Sequence, residues 1–167
     1  MDTAHEQLWG IAPEMGGGYL LALSANVLDG VDLDHLGHAL GTSFRVSAPR
    51  FNAPTPVALA VLPAGSVFVW WESDDDIPAY AHLWARLYDG AGVPRGERFA
   101  IDGPTGGGSI DVAATSDGGF AAAWMRGDGT AQSRMQLFAA DGTRARRHFR
   151  SQCRSWSGGS RRARAAT

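Results

Sequence analysis

GGFAAAW (Gly118–Trp124) is two glycines followed by five apolar residues that end in an indole. A helix gains nothing from a Gly-Gly start, whereas a tight hairpin wants the positive φ that glycine supplies. In a strand, Phe120, Ala122 and Trp124 share one face and Ala121 and Ala123 the other, so both faces are apolar. Such a strand calls for cover on both sides, and small residues on one face let a neighbouring sheet come close.

Related strings occur twice upstream, as GYLLAL (Gly18–Leu23) and SVFVWW (Ser66–Trp71). Aligning the apolar runs puts Tyr19, Val67 and Phe120 in one column, and Leu23, Trp71 and Trp124 in another four residues later. Upstream of them, WGIAPEMGG, VALAVLPAG and IDVAATSDG share an apolar start and a glycine eight residues on. Downstream, seven residues separate the turn glycine from a phenylalanine each time: Gly37 to Phe44, Gly92 to Phe99, Gly142 to Phe149. The period is 48 to 55 residues, and the variation falls in polar connectors.

Each unit reads as four short strands separated by turn residues. The spacing predicts strands at 8–13, 18–24, 31–36 and 42–46 in unit 1 (residues 8–46). In unit 2 (56–101) it predicts 56–62, 66–72, 82–88 and 97–101, and in unit 3 (109–150) it predicts 109–114, 119–125, 133–139 and 147–150. The fold class expected is all-β, three tandem four-stranded antiparallel units of blade-like form in a partial or open β-propeller. GPTGGGS (Gly103–Ser109) reads as an inter-unit linker, and residues 151–167 as an Arg-rich tail expected to be disordered. Closed propellers use about four to eight blades. Three units therefore imply self-association to complete a ring, an open stack, or a fragment of a longer array. The fading of the third unit into Arg, Ser, Gly and Ala is what a truncated or out-of-frame terminus would produce.

The chain resembles the tandem repeats of large bacterial secreted and surface proteins. GGFAAAW, SVFVWWESDDD, ARLYDGAGVPRGERFAI and VALAVLPAG carry the likeness, which spans about residues 8–150 and weakens in unit 1, where Leu23 replaces Trp. The resemblance implies β-propeller-like arrays and an extracellular or cell-surface address. It brings no shared catalytic residues.

Composition narrows the functional classes. The chain has 167 residues, 22 of them glycine, and all 15 basic residues are arginine. All 17 carboxylates lie between Asp2 and Asp141 against seven arginines, while residues 144–167 hold eight arginines and no acid. The basic tail could neutralise phosphates, but the acidic body repels the same ligand, which argues against nucleic acid. One cysteine, Cys153, builds neither a disulfide framework nor a zinc site. MDTAHEQLWG lacks the basic and apolar regions of a secretory signal. Phe51–Trp71 is 21 residues without a formal charge, but Pro54, Pro56, Pro63 and Gly65 interrupt it, so no membrane span is expected.

Few residues invite chemistry. ESDDD places Glu72, Asp74, Asp75 and Asp76 within five residues, a set of oxygen ligands that could collect calcium, although the spacing is not that of an EF-hand. A solvated acidic loop is the simpler reading, and no other cofactor is suggested. Trp70, Tyr80 and Trp84 are candidate stacking platforms for a glycan held between blades. A glycosidase needs two facing carboxylates, for which Glu72 and Asp74 are the nearest candidates. The function expected is therefore non-enzymatic binding of a protein or glycan partner, or structural display, with glycan binding as the alternative and an enzyme behind both.

Overall fold

Hairpin after hairpin, the apolar runs pair with their neighbours in sequence and no helix intervenes among the described residues. The computed structural model describes residues 7–24, 27–47, 56–73, 81–105, 107–127 and 132–152. Unit 1 is β1 (Gln7–Pro13), β2 (Tyr19–Ser24), β3 (Leu28–Leu33) and β4 (Phe44–Arg45). Unit 2 is β5 (Val57–Leu62), β6 (Gly65–Ser73), β7 (Ala81–Tyr88) and β8 (Phe99–Thr105). Unit 3 is β9 (Ile110–Ala114), β10 (Phe120–Met125), β11 (Gln132–Phe138) and β12 (Arg144–Gln152). Each unit is a four-stranded antiparallel sheet with its strands in chain order. The protein is all-β, three blade-like sheets in tandem.

Three strands differ from the sequence reading by three residues or more at one end or both. β3 lies three residues earlier than expected, because Asp34 stops the strand. Its carboxylate accepts N–H bonds from Leu36 and His38 at 2.8 and 2.9 Å, and Gly37 closes the turn on the Asp34 carbonyl. β8 runs on to Thr105, so the first part of GPTGGGS is strand and not linker. β12 reaches Gln152, into the segment assigned to the tail; residues 153–167 lie outside the described residues.

The repeat can be tested by pairing. Phe44 lies opposite Gly30, Phe99 opposite Ala85 and Phe149 opposite Met135, so the phenylalanine column holds in all three sheets. The column of second strands slips by one residue in unit 2. Tyr19 pairs with Leu33 and Phe120 with Phe138, but the residue opposite Tyr88, which holds their place, is Ser66 and not Val67. The cause is the turn. Leu62 pairs with Gly65 across Pro63-Ala64, whereas Glu14 to Gly18 and Thr115 to Gly119 have three residues between. The counterpart of Leu23 and Trp124 is thus Trp70, and Trp71 points the other way. A one-residue slip exchanges the faces of a strand.

Each sheet therefore has two distinct faces. The front face carries Leu21 and Leu23 in unit 1, Phe68 and Trp70 in unit 2, and Ala122 and Trp124 in unit 3. The back face carries Leu20 and Ala22, Val67 and Val69, and Ala121 and Ala123. Two apolar cores follow. The back of unit 1 (Ala12, Leu20, Ala22) packs on the front of unit 2 (Leu59, Phe68, Trp70). In the same sense the back of unit 2 (Ala60, Val67, Val69) packs on the front of unit 3 (Val112, Phe120, Ala122).

The first strands are the points of closest approach, β1 beside β5 and β5 beside β9. Their back-face positions are small: Gly10 and Ala12 in β1, Ala58 and Ala60 in β5. Their front-face positions are larger: Val57 and Leu59 in β5, Ile110 and Val112 in β9. A Cβ built on Gly10 would come within 2.9 Å of Leu59 Cδ2. This small-on-large fit lets the first strands of successive sheets approach closely.

Among the described residues, only the middle sheet is covered on both sides. Val67 to Trp71 are all fully buried, whereas Tyr19 and Met125 of the outer sheets are 38% and 40% exposed. The expectation that all three second strands are sandwiched thus holds for unit 2 alone, since units 1 and 3 each have one neighbour.

Candidate functional site

A concavity lies where the outer half of unit 2 meets unit 3. It is a cleft of about 360 Å³ bordered by His82 of β7, Ala100 to Gly103 of β8, Trp124 of β10, Arg134 to Gln136 of β11 and Arg144 of β12. The local cause is charge and shape. β8 bulges against β7, with register shifts on both sides of Leu83, and places the Asp102 carboxylate in front of unit 3. Trp124 Nε1–H donates to Asp102 Oδ2 at 2.7 Å, and Arg134 Nη1 donates to the same carboxylate at 3.1 and 3.3 Å. Arg144 Nη2 donates to the carbonyls of Ala100 and Ile101 at 3.1 and 2.9 Å. Gln136 is held by its amide, which donates to the carbonyls of Leu137 and Ala145.

The result is a hydrogen-bonding wall beside an indole, with one carboxylate against two guanidinium groups. Asp102 and Arg134 compensate each other at 12% and 23% side-chain exposure, a depth at which an unpaired charge would be costly. The buried Nε of Arg134 has no partner in the structure. Asp102 is the single carboxylate among the described residues bordering the cleft, so the facing pair that glycoside hydrolysis uses is not assembled there.

The sequence-nominated residues gather elsewhere. Trp70 Nε1–H donates to Glu72 Oε2 at 2.9 Å, and Arg98 Nη1 donates to both oxygens of that carboxylate at 2.7 Å. The Arg98 guanidinium also lies over the Trp84 ring, 4.2 Å from its centroid. Trp70 is fully buried, so it is a core residue and not a rim platform; the unit 1 sheet covers it. Trp84 is half-buried beneath Arg98. The Glu72 carboxylate is spent on Trp70 and Arg98. Asp74, Asp75, Asp76 and Tyr80 lie outside the described residues. Among the described residues, no group of three or more His, Cys, Asp or Glu side chains is placed to hold a metal ion.

Sequence reasoning did not single out Asp102, Arg134 or Arg144, because the site is made by two successive sheets. One signal was present: Trp124 sits in the repeat column whose indole or leucine faces the preceding unit, and its N–H must find an acceptor there.

No family model and no curated protein matches the chain. Among solved structures, it is similar to a protein of unknown function from Bacteroides caccae at 12% identity and a TM-score of 0.47. That match covers 84% of this chain and 44% of the other, so the chain spans less than half of its structural neighbour. No helix of the described residues is long and apolar enough to cross a membrane.

Proposed function

We propose that this protein is a non-enzymatic, propeller-like repeat module that binds a partner, with the cleft between its second and third sheets as the seat. The observation that carries this reading is the cleft itself: about 360 Å³, within the size range of small-ligand sites. Its charged groups are locked to one another and to the backbone, so they offer orientation and hydrogen bonds but no free nucleophile–base pair. Repeat proteins commonly bind through surfaces that successive units make together.

A polyol such as a short glycan fits this lining best, since a sugar presents hydroxyls to Asp102 and Arg134 and an apolar face to the Trp124 side. The test is a titration of mono- and oligosaccharides followed by tryptophan fluorescence and calorimetry. Saturable binding is expected in the wild type and weakened at least tenfold in Arg144→Ala, which removes an exposed side chain bordering the cleft. Binding unchanged in Arg144→Ala would move the seat elsewhere, and absence of any saccharide binding would remove the glycan reading.

A further inference from the structure

The two internal interfaces obey one rule, and among the described residues each outer sheet presents half of it. Back packs on front, unit 1 to unit 2 and unit 2 to unit 3. What remains is the front of unit 1 and the back of unit 3. The front of unit 1 is apolar and open: Leu8 and Ile11 are each 58% exposed, Tyr19 is exposed, and Leu21, Leu23 and Leu33 are half-buried. The back of unit 3 carries the apolar side chains of Ala113 and Met125, exposed, and of Ala121, Ala123, Met135 and Leu137, half-buried, together with the exposed carboxylate of Asp111 on its first strand. Ala121 and Ala123 hold the register positions of Leu20 and Ala22 and of Val67 and Val69, apolar at both internal interfaces, while Asp111 stands where β1 has Gly10 and β5 has Ala58, and Met135 where β3 has Gly30 and β7 has Ala85.

A second observation points to the same pairing. At each internal interface a phenylalanine of one sheet seats on the turn glycine of the next. Phe44 lies against Gly92, where an added Cβ would stand 2.5 Å from its ring, and 5.2 Å from the Tyr88 ring. Phe99 lies against Gly142, where a Cβ would stand 2.9 Å from its ring, and 5.8 Å from the Phe138 ring. Gly37 and Leu33 are the corresponding socket in unit 1, yet a Cβ on Gly37 meets nothing within 4 Å. Phe149 holds the corresponding register position in unit 3, opposite Met135. Charge agrees: residues 8–46 carry four carboxylates and one arginine, residues 109–150 six arginines and four carboxylates.

We infer that the back of unit 3 docks on the front of unit 1 of a second copy of this chain, which sets the register position of Phe149 in β12 beside the partner's Gly37 turn. A contact between two different faces is heterologous, and it closes when the accumulated rotation returns to the start. Two copies give six sheets, inside the range of closed propellers.

The test is solution mass by light scattering, with two blocking variants: Leu21→Arg on the front of unit 1 and Ala123→Arg on the back of unit 3. Wild type at about 100 µM, a concentration that populates even a micromolar contact, is expected at twice the chain mass of 17.7 kDa. Each variant alone should be monomeric with an unchanged β-type circular dichroism spectrum. Mixing the two should restore a one-to-one pair, because each supplies the face the other lacks. Phe149→Ala should weaken the pair at least tenfold. A longer head-to-tail series blocked by both variants supports the same contact with closure beyond two copies. A monomeric wild type, a dimer insensitive to Ala123→Arg, or a mixture that fails to pair would overturn the inference.

Discussion

Replacing one glycine at a time with alanine at the third turn of each unit separates packing between sheets from strain within a turn. Gly37, Gly92 and Gly142 share a left-handed backbone, with φ of 86°, 73° and 84°. A Cβ there costs about 1–2 kcal/mol whatever the surroundings. Gly92 and Gly142 carry a further term, since the new methyl would meet Phe44 at 2.5 Å and Phe99 at 2.9 Å. Overpacking of this kind costs about 1–3 kcal/mol. Gly37→Ala should therefore destabilise by about 1–2 kcal/mol and Gly92→Ala or Gly142→Ala by about 2–5. In a chain of this size each kcal/mol lowers the thermal midpoint by about 2–4 °C.

The assay is urea unfolding followed by tryptophan fluorescence. It is done in the Ala123→Arg background, so that no second copy covers Gly37. A double variant closes the argument: Phe44→Ala removes the ring that Gly92→Ala would strike, so the pair should cost less than the sum of its members. Equal losses at Gly37 and Gly92, or strict additivity with Phe44→Ala, would refute the claim that a phenylalanine of each sheet seats on the turn of the next.

Trp70→Ala should destabilise by about 3–5 kcal/mol, the usual cost of deleting a buried tryptophan, and Trp84→Ala by clearly less in the same urea titration. The reverse order would restore Trp70 as a surface residue. Tyr88 is buried, and burial raises its hydroxyl from 10.0 to about 12. A raised acid favours the neutral folded form, so the stability tied to this group is full below pH 10 and lost as pH rises towards about 12. Absorbance at 295 nm should show a late phenolate step that Tyr88→Phe removes; persistence of that step would contradict the assignment. The Asp34 carboxylate lies below its ordinary 3.8, chiefly through the N–H bonds it accepts from His38 and Leu36. A lowered acid contributes stability above its unfolded value that fades as pH falls through the folded one. The stability difference between wild type and Asp34→Ala should thus be full at neutral pH and vanish under strong acid; a difference independent of pH would refute the capping role.

The architecture was legible because two signals are local. Strand alternation in GGFAAAW and the fixed step from Gly142 to Phe149 each report one sheet's own geometry. The one-residue slip at Val67 was not legible, since Pro63-Ala64 forms a tighter turn than its counterparts and sequence spacing alone does not reveal turn type. The cleft was hidden for a different reason. Asp102, Trp124 and Arg134 meet only when unit 2 leans on unit 3, and nothing in a linear string gives the contacts between two sheets. Exposed-looking tryptophans misled for the same cause, as Trp70 is covered by residues of unit 1 that are 24 or more positions away.

The most direct measurement of the central claim, one sheet repeated three times and stacked back on front, is a nuclear Overhauser spectrum of the labelled protein. Cross-peaks are expected from the Phe44 ring to the Gly92 α-protons and from the Phe99 ring to the Gly142 α-protons. Their absence, with Phe44 and Phe99 instead seeing only residues of their own units, would contradict it.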